Sequence, residues 1–131
     1  ECASSFCVDG RCCVSGCTTQ CKSCGNATGA CTDNIARGSS DLNSSPACSG
    51  TNTCDGAGNC FAKRANGQAC GDQYDCLSGF CTDGVCCNTV CNGTCVKCNL
   101  VGFVGTCTNV SAGGQDAPSC VNHDGCNGAG G

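Results

Sequence analysis

C-V-D-G-R-C-C, from Cys7 to Cys13, and C-T-D-G-V-C-C, from Cys81 to Cys87, are one phrase written twice, 74 positions apart. Each sets Asp-Gly between two short arms. Both residues tolerate the positive φ that a tight two-residue turn needs, so each stretch is predicted to be a short β-hairpin. Working outward, Cys2, Cys7, Cys12, Cys13, Cys17, Cys21 and Cys24 recur at the same offset of 74 as Cys76, Cys81, Cys86, Cys87, Cys91, Cys95 and Cys98. Cys31, Cys48 and Cys54 then answer to Cys107, Cys120 and Cys126, the offset drifting by two residues where loop lengths differ. Ten positions match, and of the 22 cysteines only Cys60 and Cys70 lack a counterpart. A period held by cysteines while the loops drift marks a tandem array of small cross-linked modules.

Composition explains why cross-links are needed. Leu, Ile, Val and Phe number 17 of 131 residues, about 13%, below the roughly 20% under which a chain usually fails to bury a core. The 21 glycines raise the entropy that folding must overcome. Disulfides offset this at about 2–4 kcal/mol each, chiefly by restricting the unfolded chain, and they require an oxidising compartment. The expected fold is therefore small and disulfide-rich: tandem modules of short β-hairpins and loops, with little or no helix, in an extended, solenoid-like arrangement. Module 1 covers residues 1–69 and is incomplete at its N-terminal end, while module 2 covers 70–131 and is incomplete at its C-terminal end. Further copies of the repeat are expected in the natural polypeptide or by self-association.

Six Lys and Arg are scattered against ten Asp and Glu for a net charge of −4, which leaves no basic stripe for nucleic acid. No apolar run reaches the length of a membrane span, so no membrane insertion is expected of this segment. Inter-cysteine loops at Thr32–Ala47 and Thr108–Ser119, rich in Ser, Asn, Gly and Asp, are expected to be the exposed, variable part. Gly-rich turns at Asp55–Gly58 and Asn127–Gly130 fall at equivalent points of the modules.

The C-x-x-C pairs Cys21/Cys24 and Cys95/Cys98 are read as structural bridges. A zinc site would need further paired ligands, and His123 is the single histidine. Vicinal Cys12-Cys13 and Cys86-Cys87 are expected to take separate partners, because neighbouring strand side chains point to opposite faces and a vicinal ring strains the peptide between them. No catalytic residues, metal or cofactor are expected. His123 does not recur, and Asp72, Asp75 and Asp83 form no carboxylate pair across a cleft. Calcium at Asp55 or Asp72 lacks the dense oxygen-ligand spacing of a binding loop. N-x-[ST] sequons at Asn26, Asn43, Asn92 and Asn109 are glycan acceptors in a secreted chain.

C-L-S-G-F-C-T-D-G-V-C-C (Cys76 to Cys87), C-N-G-T-C-V-K-C (Cys91 to Cys98) and C-D-G-A-G-N-C (Cys54 to Cys60) resemble the cysteine-rich tandem repeats of secreted and lipid-anchored surface proteins in myxobacteria and related bacteria. That resemblance implies a surface location and repetition. A second likeness is to disintegrin domains, carried by Cys7 to Cys13, Cys48 to Cys60 and Asn66 to Cys70. It implies a recognition loop between Cys31 and Cys48, where the chain has Arg37-Gly38-Ser39 with Asp41 two residues later and no Arg-Gly-Asp tripeptide.

The expected function is structural: an extracellular or cell-surface tandem-repeat segment forming a disulfide-stabilised, glycosylated rod, stalk or filament. The alternative is a disintegrin-like or receptor-like binding module presenting Thr32–Ala47, with Arg37, Gly38 and Asp41 as contacts. Counting adds one expectation about connectivity. If both modules share one pairing and no thiol stays free, only a Cys60–Cys70 bridge closes both sets of ten, clamping the linker Phe61–Ala69.

Overall fold

A computed structural model describes residues 2–8, 10–117 and 125–130 of the chain. Asp9, Cys120 and His123 lie outside the described residues. The chain divides into two compact units, Glu1–Lys63 and Arg64–Gly131. The first contains strands β1 (Phe6–Val8), β2 (Arg11–Cys13), β3 (Lys22–Ser23), β4 (Asp33–Asn34), β5 (Asn52–Cys54) and β6 (Cys60–Ala62). The second contains β7 (Cys81–Thr82), β8 (Val85–Cys86), β9 (Val96–Lys97) and β10 (Thr108–Asn109), preceded by a 3-10 turn at Gln73–Asp75. All strands pair as two-stranded antiparallel ribbons, β1 with β2, β3 with β4, β5 with β6, β7 with β8 and β9 with β10. Small size, disulfides, hairpins and near-absence of helix are as the sequence implies.

The unit boundary falls before the predicted one at Ala69/Cys70, and hydrogen bonding explains why. Lys63 N–H donates to Thr51 C=O in the first unit, whereas Arg64 donates to Asp75 C=O and accepts from Leu77 N–H in the second. The predicted linker is thus mostly a working part of unit two.

The Asp-Gly turn of the second unit forms as expected, while that of the first includes Asp9, outside the described residues. Asp83 and Gly84 both have positive φ, 53° and 75°, and join the paired residues Thr82 and Val85. The Asp83 carboxylate also accepts from Cys98 N–H at 2.8 Å, which ties the hairpin to its C-x-x-C segment. The turn at Asp55 is held in another way. Its carboxylate accepts from Ala57 N–H at 2.7 Å, Asn59 N–H at 2.9 Å and the Asn59 amide at 2.8 Å. In the second unit Asn127 accepts from Ala129 N–H at 2.7 Å, so the acceptor recurs without its charge.

Sulfur fills the interior. Among the described residues, only Val8 and Val110 of the buried apolar residues are not cysteine. Each unit has two clusters. In the first unit Cys13, Cys17 and Cys24 pack with Val8 and Cys31, and Cys21, Cys48 and Cys54 pack with Ile35 and Cys60. In the second, Cys87, Cys91 and Cys98 pack with Val85, Val96 and Cys107, and Cys95 and Cys126 pack with Val110. The second cluster of each unit has one aliphatic member, Ile35 or Val110, whose N–H donates to the carbonyl of Cys21 or Cys95.

Ten disulfides among the described residues make this core. Cys2–Cys12, Cys13–Cys24, Cys17–Cys31 and Cys21–Cys54 reappear as Cys76–Cys86, Cys87–Cys98, Cys91–Cys107 and Cys95–Cys126. The remaining two correct the counting argument. Cys60 bonds Cys48 and Cys70 bonds Cys81, with Cα separations of 5.8 and 5.9 Å, so no bridge joins Cys60 to Cys70. The shared pairing holds, but the assumption of no free thiol does not. Cys7, the counterpart of Cys81, carries a free and exposed thiol. Cys60 stands opposite Cys54 across the β5–β6 hairpin, yet it bonds Cys48 because Cys54 is taken by Cys21, and the strand leading to Cys70 lies along the β7–β8 hairpin through the Ala69–Val85 bridge.

The longest closures restrict the unfolded chain most. For sequence separations of 33 and 10, chain entropy gives about 4 and about 3 kcal/mol for Cys21–Cys54 and Cys2–Cys12. Cys21 and Cys54 are also fully buried. Replacing Cys21 and Cys54 by Ser should therefore lower stability by about 4 kcal/mol or more, and the Cys2/Cys12 pair of substitutions by about 3 or less. Guanidinium unfolding of both variants checks the order.

Asp55 sets a pH dependence. Hydrogen bonds from the Asn59 side chain, the Asn59 backbone and the Ala57 backbone hold its pKa down from 3.8 to about 2. A depressed folded-state pKa means the contribution is complete above 3.8 and is lost as pH falls toward 2. The amide shifts of Ala57 and Asn59 should titrate with a midpoint near 2 in NMR, and Asp55→Asn should abolish that titration while keeping the turn.

Candidate functional site

The vicinal cysteines are branch points. Cys12 bonds Cys2 while Cys13 bonds Cys24, and Cys86 bonds Cys76 while Cys87 bonds Cys98. Each hairpin is thereby tied at once to the chain before it and to the C-x-x-C segment after it. The first cysteine of each C-x-x-C, Cys21 and Cys95, adopts a positive φ of 56° and 59°. Non-glycine residues seldom hold that conformation unless their surroundings impose it, and here the long Cys21–Cys54 and Cys95–Cys126 bridges do so.

Sulfur atoms also gather in threes: Cys13, Cys17 and Cys24; Cys21, Cys48 and Cys54; Cys70, Cys76 and Cys81. Such a triad of thiolates would suit a soft metal ion. In the oxidised chain each triad is instead one bridge lying against a sulfur of the next, as Cys13–Cys24 lies against Cys17, and sulfurs in S–S bonds are not thiolates.

Arg37, Gly38 and Asp41 do not form one exposed contact surface. Arg37 lies half-buried with its guanidinium 5.2 Å from the centre of the Phe61 ring, a cation–π arrangement. Gly38 N–H donates to Cys54 C=O. Asp41 is turned inward, only 2% exposed, and its carboxylate accepts from the backbone N–H groups of Cys21 at 2.7 Å, Asn43 at 3.0 Å and Ser44 at 3.2 Å. Its backbone pairs with Cys48 in both directions. Burial of Asp41 and Ser44 corrects the expectation of a wholly exposed loop at Thr32–Ala47. A chain this poor in apolar residues uses a carboxylate to gather backbone donors around a bridge. In the corresponding loop of unit two Asp116 is likewise buried, with Lys97 Nζ 3.9 Å away.

The sequons differ in setting. Asn43, Asn92 and Asn109 are exposed. The Asn26 amide is committed: its nitrogen donates to Ala30 C=O at 2.8 Å and the Thr32 hydroxyl at 3.0 Å, and its oxygen accepts from Thr28 N–H and hydroxyl. Sequence reading did not single out an apolar tip in unit two. Leu100 C=O accepts from Phe103 N–H across a turn with Gly102 at φ 86°, leaving Val101 97% exposed and Phe103 and Val104 exposed beside it. The run L-V-G-F-V was its visible signal.

The fold and these features define a small disulfide-rich protein whose bridges fit an oxidising, extracellular or secretory setting. No helix among the described residues is long and apolar enough to cross a membrane. Compared with protein-family models, curated proteins and solved structures, the chain matches none.

The two kinds of sequon should separate by mutation. Asn26→Ala, which removes the hub of its turn, should cost about 1–2 kcal/mol, whereas Asn92→Ala should stay within about 0.5 kcal/mol of the parent. Denaturant midpoints of the two variants check this.

Proposed function

We propose that the chain is a structural segment of an extracellular or cell-surface tandem-repeat protein, a disulfide-stabilised rod, stalk or filament. The observation that carries this reading is the recurrence of the same four disulfide pairings in two units whose loop residues differ. A scaffold needs its cross-linking framework repeated and tolerates drift in what the loops carry. The Arg37–Phe61 stack and the Leu100–Val104 tip each belong to one unit, whereas the bridges belong to both. Buried cystines provide resistance to heat and proteolysis, and sugars on Asn43, Asn92 and Asn109 would cover the outside. The partners are further copies of the same repeat, and no catalytic role is assigned. Inward-facing Asp41 speaks against a recognition loop built on Arg37, Gly38 and Asp41.

Solution scattering tests the rod. In chains carrying one, two and three tandem copies, the radius of gyration should grow nearly in proportion to length, against the roughly 0.38 power expected of compact domains. Growth at the compact exponent would overturn the reading.

A further inference from the structure

The bridges decide where a cut in the backbone would separate the chain. Among the described residues every disulfide closes either between Cys2 and Cys60 or between Cys70 and Cys126. Residues 61–69 therefore lie inside no bridged loop. Of the six basic residues, Arg11 sits in the loop of Cys2–Cys12, Lys22 and Arg37 in that of Cys21–Cys54, and Lys97 in that of Cys95–Cys126. A cut beside any of these leaves the pieces joined through sulfur. The other two, Lys63 and Arg64, are the one adjacent pair of basic residues in the chain, and they fall outside the bridged loops. The first unit ends on Lys63 and the second begins on Arg64.

The backbone here is laid out as an endoprotease takes its substrate. Such an enzyme binds an extended strand, pairing with the backbone of the residue before the cut and of the residue two places earlier. Along an extended strand successive residues turn their backbone groups to opposite sides. Lys63 N–H donates to Thr51 C=O at 2.8 Å, on the β5 side, so Ala62 and Arg64 face away from β5. Arg64 accordingly directs its groups elsewhere, donating to Asp75 C=O at 2.6 Å and accepting from Leu77 N–H at 2.9 Å. Ala62 has no backbone partner on its outer side among the described residues, and it is exposed, as are Arg64, Ala65 and Asn66. Besides its two backbone bonds, Arg64 is held by its guanidinium on Ala69 C=O, and Ala65 N–H by the Gln68 side chain at 3.0 Å. With no buried side chain among Arg64, Ala65 and Asn66, this stretch opens locally while the remainder stays folded. The chain is fixed again from Gly67, whose N–H reaches Cys86 C=O, to the Cys70–Cys81 bridge.

We propose that Lys63-Arg64 is a processing site, cut after Arg64 by an endoprotease whose acidic pockets read paired basic residues. Water adds across the Arg64–Ala65 amide: its oxygen goes to the Arg64 carbonyl carbon, a proton goes to the Ala65 nitrogen, and the bond between them breaks. Because each bridge closes on one side of the pair or the other, a single cut releases two units with their sulfur frameworks intact. The site goes beyond the rod reading, since it would shed whole units from an array of any shape.

The test uses the oxidised chain and a subtilisin-like endoprotease specific for Lys-Arg pairs, with the heptapeptide of residues 61–67 as the unstructured reference. The folded chain should be cut at Arg64–Ala65 no more than about a hundredfold more slowly than the heptapeptide, a margin set by local opening, whereas global unfolding would impose about a thousandfold or more. The products, residues 1–64 and 65–131, should separate without reductant in chromatography, each identified by intact mass. Lys63→Gln should slow the cut by about tenfold or more at an unchanged unfolding midpoint. A slower cut than the hundredfold margin, products that part only after reduction, or an unaltered rate in Lys63→Gln would overturn the site. Each of these results leaves the rod reading to scattering.

Discussion

The cystine bridge is the interaction on which everything else rests, because 17 Leu, Ile, Val and Phe residues cannot supply a core for 131. Its role is double. Closing loops of 10 to 33 residues removes entropy from the unfolded chain, and the sulfurs themselves become the buried apolar mass around which the backbone turns. Among the described residues Val8 and Val110 are the only other buried apolar residues, and they sit against sulfur rather than against each other.

A core made of bridges leaves little apolar cover for backbone polar groups, and short acidic or amide side chains take up that work. Asp41, Asp55 and Asp83 each receive backbone N–H groups from a cysteine-bearing segment or a turn, and Asn127 repeats the role of Asp55 without charge. Carboxylates that would read as metal ligands or catalytic acids in another setting are here tie points of the fold. The burial of Asp41 shows this most plainly, since the same residue was the anchor of the binding-loop alternative.

Several elements were legible from residue order alone. The paired hairpins, the equivalent Gly-rich turns and the absence of long helix among the described residues follow from local backbone preferences, which do not depend on the rest of the chain. The Ile35/Val110 equivalence was hidden because the second unit is one residue shorter between its cysteine and this position: C-T-D-N-I against C-T-N-V. Counting failed for Cys60 and Cys70 because it treated bonding as closure of a set, whereas a thiol bonds what the backbone brings within reach.

Cysteine spacing by itself determined the repeat, the class of fold and the need for oxidation, because each follows from composition and from signals spanning a few residues. Only the tertiary structure decided the partner of each bonded sulfur and the inward turn of Asp41. These depend on which segments meet in space.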